Sequence, residues 1–301
     1  MSHPILSVII PTHNRPNLLP LAVNSVLAQT LDDLEIIVVD DASERPPDLP
    51  SDSRLRFLRL SEPQGGAAAR NIGTEAARGR WVTYLDDDDR LLPHMAETSL
   101  EGLFHVTLPA PIAVISGIEE VNAQGQVFNK RVPPPVCVKG SHFCLEEIAP
   151  YFSYNTKQTL VAEREVIQKI GGWDETFRSR VHTELFLRLN PVCSILGLPT
   201  ITYQLYSHQE ERVSRNPILR QESFQRLVSK HEALFKAHPK RFAYFIYEHA
   251  LMSYRLGQKR TALKHFCWAI RVDGLQIFPQ LTSLFYQKLI KKLSIANFKL
   301  K

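Results

Sequence analysis

The fold class this sequence predicts is α/β: a mostly parallel, Rossmann-like sheet with helices on both faces, continued by a helical C-terminal extension. Three observations predict it. Apolar, strand-like runs alternate with helical ones through the N-terminal third. Two of those runs, residues 35–39 and 81–85, stop on carboxylates, and the C-terminal ends of parallel strands are where open α/β sheets bind ligands. From Pro217 onward the pattern is helical almost throughout.

Residues 5–10 form an apolar strand that Pro11 stops, and helix signals begin near Asn17 with Leu18, Leu19, Leu21, Ala22, Val26 and Leu27. The second strand, 35–39, ends at Asp40 and Asp41, before a loop rich in Ser, Pro and Asp. Residues 54–60 alternate as a third strand. Gly65 and Gly66 then lead into a helix over 67–77 that Gly79 closes. Residues 81–85, aromatic and β-branched, form a fourth, buried strand. Right-handed crossovers set the loops after Ile10, Val39 and Leu85 along one edge, so Pro11 to Asn14, Asp40 with Asp41, and 86–89 line one crevice. A helix follows over 94–103, then a strand over 113–118 and a hairpin turning at 122–125. Residues 137–170 carry no clear pattern. A turn at 171–177 precedes a helix over 184–189. Near the C-terminus Tyr254, Leu256, Gly257, Ala262, Phe266 and Ala269 resemble half of a tetratricopeptide repeat; one such unit cannot stack as a solenoid, so a helical hairpin is expected.

Composition narrows the function. With 301 residues, 44% apolar and 22% charged, the chain buries a full core. A net charge of +5 and pI near 9.0 suit phosphate-rich ligands or an anionic membrane surface and are too mild to indicate nucleic acid. Cys137, Cys144, Cys193 and Cys267 form no CxxC pair, so buried, reduced thiols and a cytoplasmic setting are expected. The N-terminus reads as a strand rather than a signal peptide. No apolar run reaches the ~18 residues that a membrane span needs.

The chemistry concentrates at Asp86, Asp87, Asp88 and Asp89. Four adjacent carboxylates repel one another, and either solvent or a hard divalent cation with oxygen ligands, Mg²⁺ or Mn²⁺, relieves that repulsion.

Four segments together carry a family resemblance: LSVIIPTHNR from Leu6, IIVVDDAS from Ile36, GGAAARNIG from Gly65 and YLDDDD from Tyr84. In order and spacing they resemble the nucleotide-binding half of a family 2 glycosyltransferase with the GT-A fold. The second half, with Gly171-Gly172-Trp173-Asp174 and the helix over 184–189, is similar to the family's acceptor-side segment, more loosely. The resemblance implies three parts: a nucleotide-sugar-binding half over 1–110, an acceptor-binding half over 111–215 and a helical extension over 216–301. It assigns Asp86, Asp87 and Asp88 to the family's DXD motif, with Asp88 as metal ligand and Asp86 or Asp87 near the donor ribose. Asp41 matches the position that reads a uracil-like base, with Pro11, Thr12, Asn14 and Asp40 beside it, and Arg70 sits where a guanidinium reaches nucleotide or phosphate. His208 is similar to the family's late histidine near metal and diphosphate.

One departure matters. The family places an ED pair, whose Asp is the general base, where this chain has Val181 and His182. A neutral imidazole with a reference pKa near 6.5 can do that work. Glu184 is the other candidate, but on a helix it points roughly 200° away from His182. The resemblance implies an inverting, metal-dependent, non-processive enzyme of polysaccharide or glycan biosynthesis, moving one sugar from a nucleotide-diphosphate donor, with a UDP-sugar expected, to a glycan or lipid-linked acceptor. The family's processive members carry a QxxRW signature and membrane spans, absent from this sequence. The alternative is a non-catalytic sugar-nucleotide-binding or assembly subunit with a degenerate base position. Apolar residues 285, 289, 290 and 293 with Lys288, Lys291 and Lys292 suggest either peripheral contact with an anionic membrane through a basic helix or a terminal helix docked on the body.

Overall fold

The computed structural model describes residues 4–207 and 216–298, with side chains as far as residue 279. It separates into two compact units, 1–213 and 214–301.

The first unit is built on a sheet of ten strands: β1 Leu6–Thr12, β2 Leu34–Asp40, β3 Leu55–Arg59, β4 Trp81–Tyr84, β5 Arg90–Leu91, β6 Ile112–Val121, β7 Val127–Arg131, β8 Val136–Cys137, β9 Val161–Glu163 and β10 Ser194–Tyr206. Their order is β3-β2-β1-β4-β9-β6-β10-β5, with β7 on β6 and β8 on β10. β3, β2, β1 and β4 are parallel, β9 is antiparallel to β4 and β6, and β6 runs parallel to β10. Helices α1 Leu19–Leu27, α2 Gly66–Ala76, α3 Met95–His105, α4 Arg164–Lys169 and α5 Val181–Leu189 complete the unit.

Every residue of β1 and β2 is buried, so both faces of these strands need a cover. Alternation supplies it. Leu6, Val8 and Ile10 pack with Leu19, Ala22, Val23 and Val26 of α1 and with Met95 and Leu100 of α3. Ile9, Ile37 and Val39 pack on the other side with Ala67 and Ala69 of α2 and with Leu185, Phe186 and Leu189 of α5. The strands, once paired, leave their C-terminal loops together at one edge.

Two local expectations are corrected. Pro11 does not stop β1, which runs to Thr12. The carbonyl of Ile9 accepts from Leu85 at 3.0 Å, and Pro11, two residues on, faces the same side beyond the end of β4, where a missing N–H breaks no ladder bond. Gly79 is not required by a left-handed helix end. A Cβ there would lie 2.7–2.9 Å from Ser7 Oγ, Ser7 N and the Leu6 carbonyl carbon, so glycine permits β1 and the entry to β4 to approach. The thiols of Cys137 and Cys193 are buried, and burial pushes both up to about 12; Cys267, contrary to expectation, is exposed.

The second unit contains α6 Pro217–Lys230, α7 Glu232–Ala237, α8 Pro239–Arg255 and α9 Lys259–Phe298. Asn216 caps α6, its Oδ1 accepting from Ile218 and Leu219 at 3.0 and 3.1 Å. Gly257, at φ 82°, turns α8 into α9, and the two pack as a helical hairpin. Asp273 interrupts α9 with extended backbone. His249 is buried flat on Phe224, with ring centroids 3.8 Å apart. The basic face expected over 285–301 involves side chains outside those described. Among the described residues no helix is long and apolar enough to cross a membrane.

Gly79→Ala places a methyl group against backbone that cannot turn away, and it is expected to lower stability by about 1–3 kcal/mol. Gly125→Ala, where φ is 77° but space is open, should cost about 1 kcal/mol or less. Urea denaturation of the two variants checks the ordering.

Candidate active site

The loop after β4 carries Asp86, Asp87 and Asp88, all half-buried, and Asp89, which is buried. Ligand oxygens of Asp86, Asp88 and Asp89 lie within 4.8 Å of one another. Asp87 accepts a hydrogen bond from Thr12 Oγ1 at 2.7 Å. Burial pushes its carboxyl up to about 7; the charges of Asp88 and Asp86 add to the rise, while the Thr12 hydrogen bond and Arg15 oppose it. Asp89, with no assigned role in the sequence reading, accepts from the Tyr203 hydroxyl at 2.8 Å and the Tyr206 N–H at 3.0 Å. It therefore pins the acidic loop to β10.

Two arginines offset the clustered charge. Arg15 Nη1 lies 3.4 Å from Asp88 Oδ2. Arg70, buried in α2, donates Nη2 to Asp86 and Nη1 to the Gly66 carbonyl at 2.9 Å. Its guanidinium also covers Trp173, 5.1 Å from the ring centroid. Trp173 meets Tyr84 edge-on at 4.8 Å and His182 edge-on at 5.0 Å. A continuous path of contacts thus runs from Asp86 through Arg70 and Trp173 to His182.

The other sequence-selected residues divide between cleft and scaffold. The Asp41 carboxylate accepts from the amides of Gln64 at 2.7 Å and Gly65 at 2.8 Å, holding the glycine loop that opens α2. Gly65 stands at φ 96°, and a Cβ there would meet Arg178 Nη1 at 2.1 Å. Asp40 is fully buried; it binds the Ser43 amide at 3.1 Å and the Ser43 hydroxyl, and Arg59 Nε lies 3.5 Å away. Ser43 engages Oδ1 alone, and Oδ2 has no hydrogen-bond partner among the described residues. Asn14, at φ 54°, joins the β1 loop to the β2 loop through Ser43 Oγ and the Glu44 amide, both at 2.8 Å. Pro11 and Thr12 end β1 beside them.

His182 and Glu184 both lie in the first turn of α5 but meet different surroundings. Glu184 is buried, and both its oxygens are held by Arg188, at 2.7 and 2.5 Å. Arg188 also donates to the carbonyls of Ile170 and Gly172. Glu184 thus anchors α5 to the glycine turn. His182 is half-buried against Trp173. Burial lowers its imidazole to about 3; nearby Asp86 acts the other way, and Arg70 and Lys157 add to the lowering. His208, the expected late histidine, lies outside the described residues.

Asn71 escaped the sequence reading and joins the two halves. It accepts from the Trp173 N–H at 2.8 Å and donates to the Trp173 carbonyl at 2.9 Å and to Glu175 at 2.8 Å. A Cβ on Gly172, at φ 64°, would lie 2.5 Å from Asn71 Oδ1. Its adjacency to Arg70 was the available signal, because successive helix residues project in different directions and can bind two segments.

Asp86, Asp88 and Asp89 offer hard oxygen ligands whose mutual repulsion a divalent cation relieves, so this donor set fits Mg²⁺ or Mn²⁺. A mostly parallel sheet that gathers carboxylates at its strand ends and continues into a mixed second half defines a GT-A type of fold. The model described as glycosyl transferase family 2 matches residues 7–105 of the chain, its parallel half. It is 27% identical over 191 residues, 62% of either chain, to an uncharacterized glycosyltransferase of Haemophilus influenzae. It is 42% identical over 116 residues to the GalNAc(5)-diNAcBac-PP-undecaprenol beta-1,3-glucosyltransferase of Campylobacter jejuni, covering 34% of this chain and 37% of that one. Less than two thirds of either relative's length is matched. The S. aureus TarS 1-349 structure in complex with UDP-GlcNAc is similar in fold, with a TM-score of 0.61 over 90% of this chain and 83% of that one, at 17% identity.

Glu184→Ala leaves Arg188 without its counter-ion in a largely buried setting and is expected to cost about 3 kcal/mol of stability. Thermal and urea unfolding of the variant measure the loss; an unchanged midpoint would assign the pair no structural weight.

Proposed function

We propose that the chain is an inverting, metal-dependent glycosyltransferase. In this reading it moves one sugar from a nucleotide-diphosphate donor, a UDP-sugar if Asp41 reads the base, to a hydroxyl of a glycan or lipid-linked acceptor. The observation that carries the proposal is the convergence of Asp86 and Asp88 at the end of β4, joined through Arg70 and Trp173 to His182.

Asp86, Asp88 and Asp89 would hold the Mn²⁺ or Mg²⁺, whose positive charge stabilises a diphosphate leaving group. Arg70 is a second cation in reach of that group. The acceptor oxygen attacks the anomeric carbon as the bond to the diphosphate oxygen breaks, and the acceptor proton passes to His182. One displacement inverts the configuration. His182 is favoured over Glu184 because the latter's carboxylate is committed to Arg188. Aligning acceptor and donor contributes alongside proton removal. Peripheral membrane contact through the C-terminal basic helix belongs to the same proposal and suits a lipid-linked acceptor.

A non-catalytic sugar-nucleotide-binding or assembly subunit is the competing reading, favoured by the low basicity of His182. Metal-dependent hydrolysis of UDP-sugars by the purified chain separates the two.

Asp88→Ala is expected to abolish transfer and remove the Mn²⁺ dependence of donor binding, as read by calorimetry with and without the ion. Undiminished Mn²⁺-dependent turnover would sink the metal assignment. His182→Ala should lower turnover by roughly 10²–10⁴-fold at nearly unchanged donor affinity, with His182→Asp retaining more.

The pH dependence follows from the lowered imidazole. A base must be unprotonated to act, so activity falls as pH drops through its pKa; with that value near 3, kcat/KM should stay level from about pH 7 to about pH 5. A fall centred near the reference value of ~6.5 would mean that the ring is solvated in the working enzyme.

A further inference from the structure

Lys157 opens a short 3-10 turn, Lys157–Thr159, and is buried. Its Nζ donates to the Tyr154 carbonyl and to Cys144 Sγ at 3.6 Å, and lies 5.8 Å from the Phe143 ring centroid. Among the described residues no carboxylate forms an ion pair with it. A buried ammonium with only neutral partners is costly, since hydrogen bonds to a carbonyl and a thiol replace only part of the hydration lost. The turn that carries it is firmly built: Thr159 Oγ1 accepts from the Ser116 amide at 2.7 Å, and Thr156 beneath it is fully buried.

The place of this charge gives it a consequence. Phe143, beneath the ammonium, packs on Phe186 with centroids 4.7 Å apart. Phe186 is one helical turn after His182, on the same face of α5, and the 3-10 turn packs against α5. The unpaired positive charge therefore stands beside the face that bears His182. We propose that Lys157 is a positioning residue of the transfer site, its buried charge adding to the burial that keeps the His182 imidazole in the proton-accepting form.

Lys157 shares this role with burial of the ring, the largest cause, and with Arg70. Asp86, from the β4–β5 loop, favours the imidazolium, but it is neutralised by Arg70 of α2, which itself disfavours the imidazolium. Glu184, on the same helix, is bound up with Arg188. Lys157 alone among these lacks an ion-pair partner in the described structure, so its contribution, smaller than that of Arg70, is not offset by a counter-ion of its own. Trp173 contributes burial but no charge. The arrangement also disfavours the imidazolium after proton transfer, so the developing negative charge of the leaving diphosphate becomes the group that offsets it.

The inference rests on His182 being the base, and its test keeps the two claims apart. In the full chain, labelled with ¹³C-histidine, the His182 ring signal is assigned by its loss in His182→Gln. It is then titrated from about pH 8 to the acid limit of the fold in the parent, Lys157→Met, Lys157→Gln and Lys157→Arg, with circular dichroism confirming the fold. Both neutral variants are expected to raise the His182 midpoint by about half a unit or more, and Lys157→Arg, which keeps the charge, to leave it near the parent value. Either neutral variant suffices if the other fails to fold. Identical His182 titrations in a folded neutral variant and the parent would overturn the proposal. Full turnover in His182→Ala would remove the base reading while leaving the titration result intact.

Discussion

The site depends on one electrostatic constraint: carboxylates that the chain forces together at the end of β4 must be neutralised without being drawn out of position. Arg70 meets it from inside the molecule. Its guanidinium is buried between the Asp86 carboxylate, the Gly66 carbonyl and the face of Trp173, and a planar cation with several donors can satisfy these partners together where a lysine could not. Arg15 opposes Asp88 from the β1 loop. Because the Arg70 contacts reach Trp173, and Trp173 touches Tyr84 and His182, the charge balance of the acidic loop is mechanically joined to the first turn of α5.

Most other polar groups here hold loops to one another. Asp41 ties the Gln64–Gly65 turn, Asp40 ties Ser43, Asp89 ties β10, and Asn71 ties the glycine turn before α5. A buried acceptor left without a donor costs about 1–3 kcal/mol, so each bond makes the alternative loop positions expensive. The loops are thereby rigid before any ligand arrives, which is the condition for electrostatic stabilisation to act without reorganisation.

The family model ends at residue 105, while the fold likeness to S. aureus TarS 1-349 extends over most of the chain. That difference has a physical basis. The parallel half is constrained by close approaches, of the Ile9 and Val39 side chains to Gly73 and of β1 backbone to Gly79, and by strands buried on both faces. The second half must preserve pairing of β9, β6 and β10 and the seating of α5, which many apolar sequences can satisfy.

The sequence by itself determined the parallel half: the strand-helix alternation, the edge at which the loops gather, and the acidic loop, because short apolar runs and turn residues are local signals. It also determined the helical character of the C-terminal unit and the hairpin at Gly257. Only tertiary structure decided which polar residues are free to do chemistry. Glu184 and Asp40 read alike as candidates in the sequence, yet Arg188 holds both oxygens of Glu184 while Ser43 binds only Oδ1 of Asp40. Asn71 and Lys157 are quiet in the sequence and prominent in the fold, since the partners of Asn71 lie far along the chain and Lys157 sits in a segment with no regular pattern. Spacing along a chain records which residues share a face; whether a carboxylate or an imidazole is available depends on the charges and donors that folding brings to it.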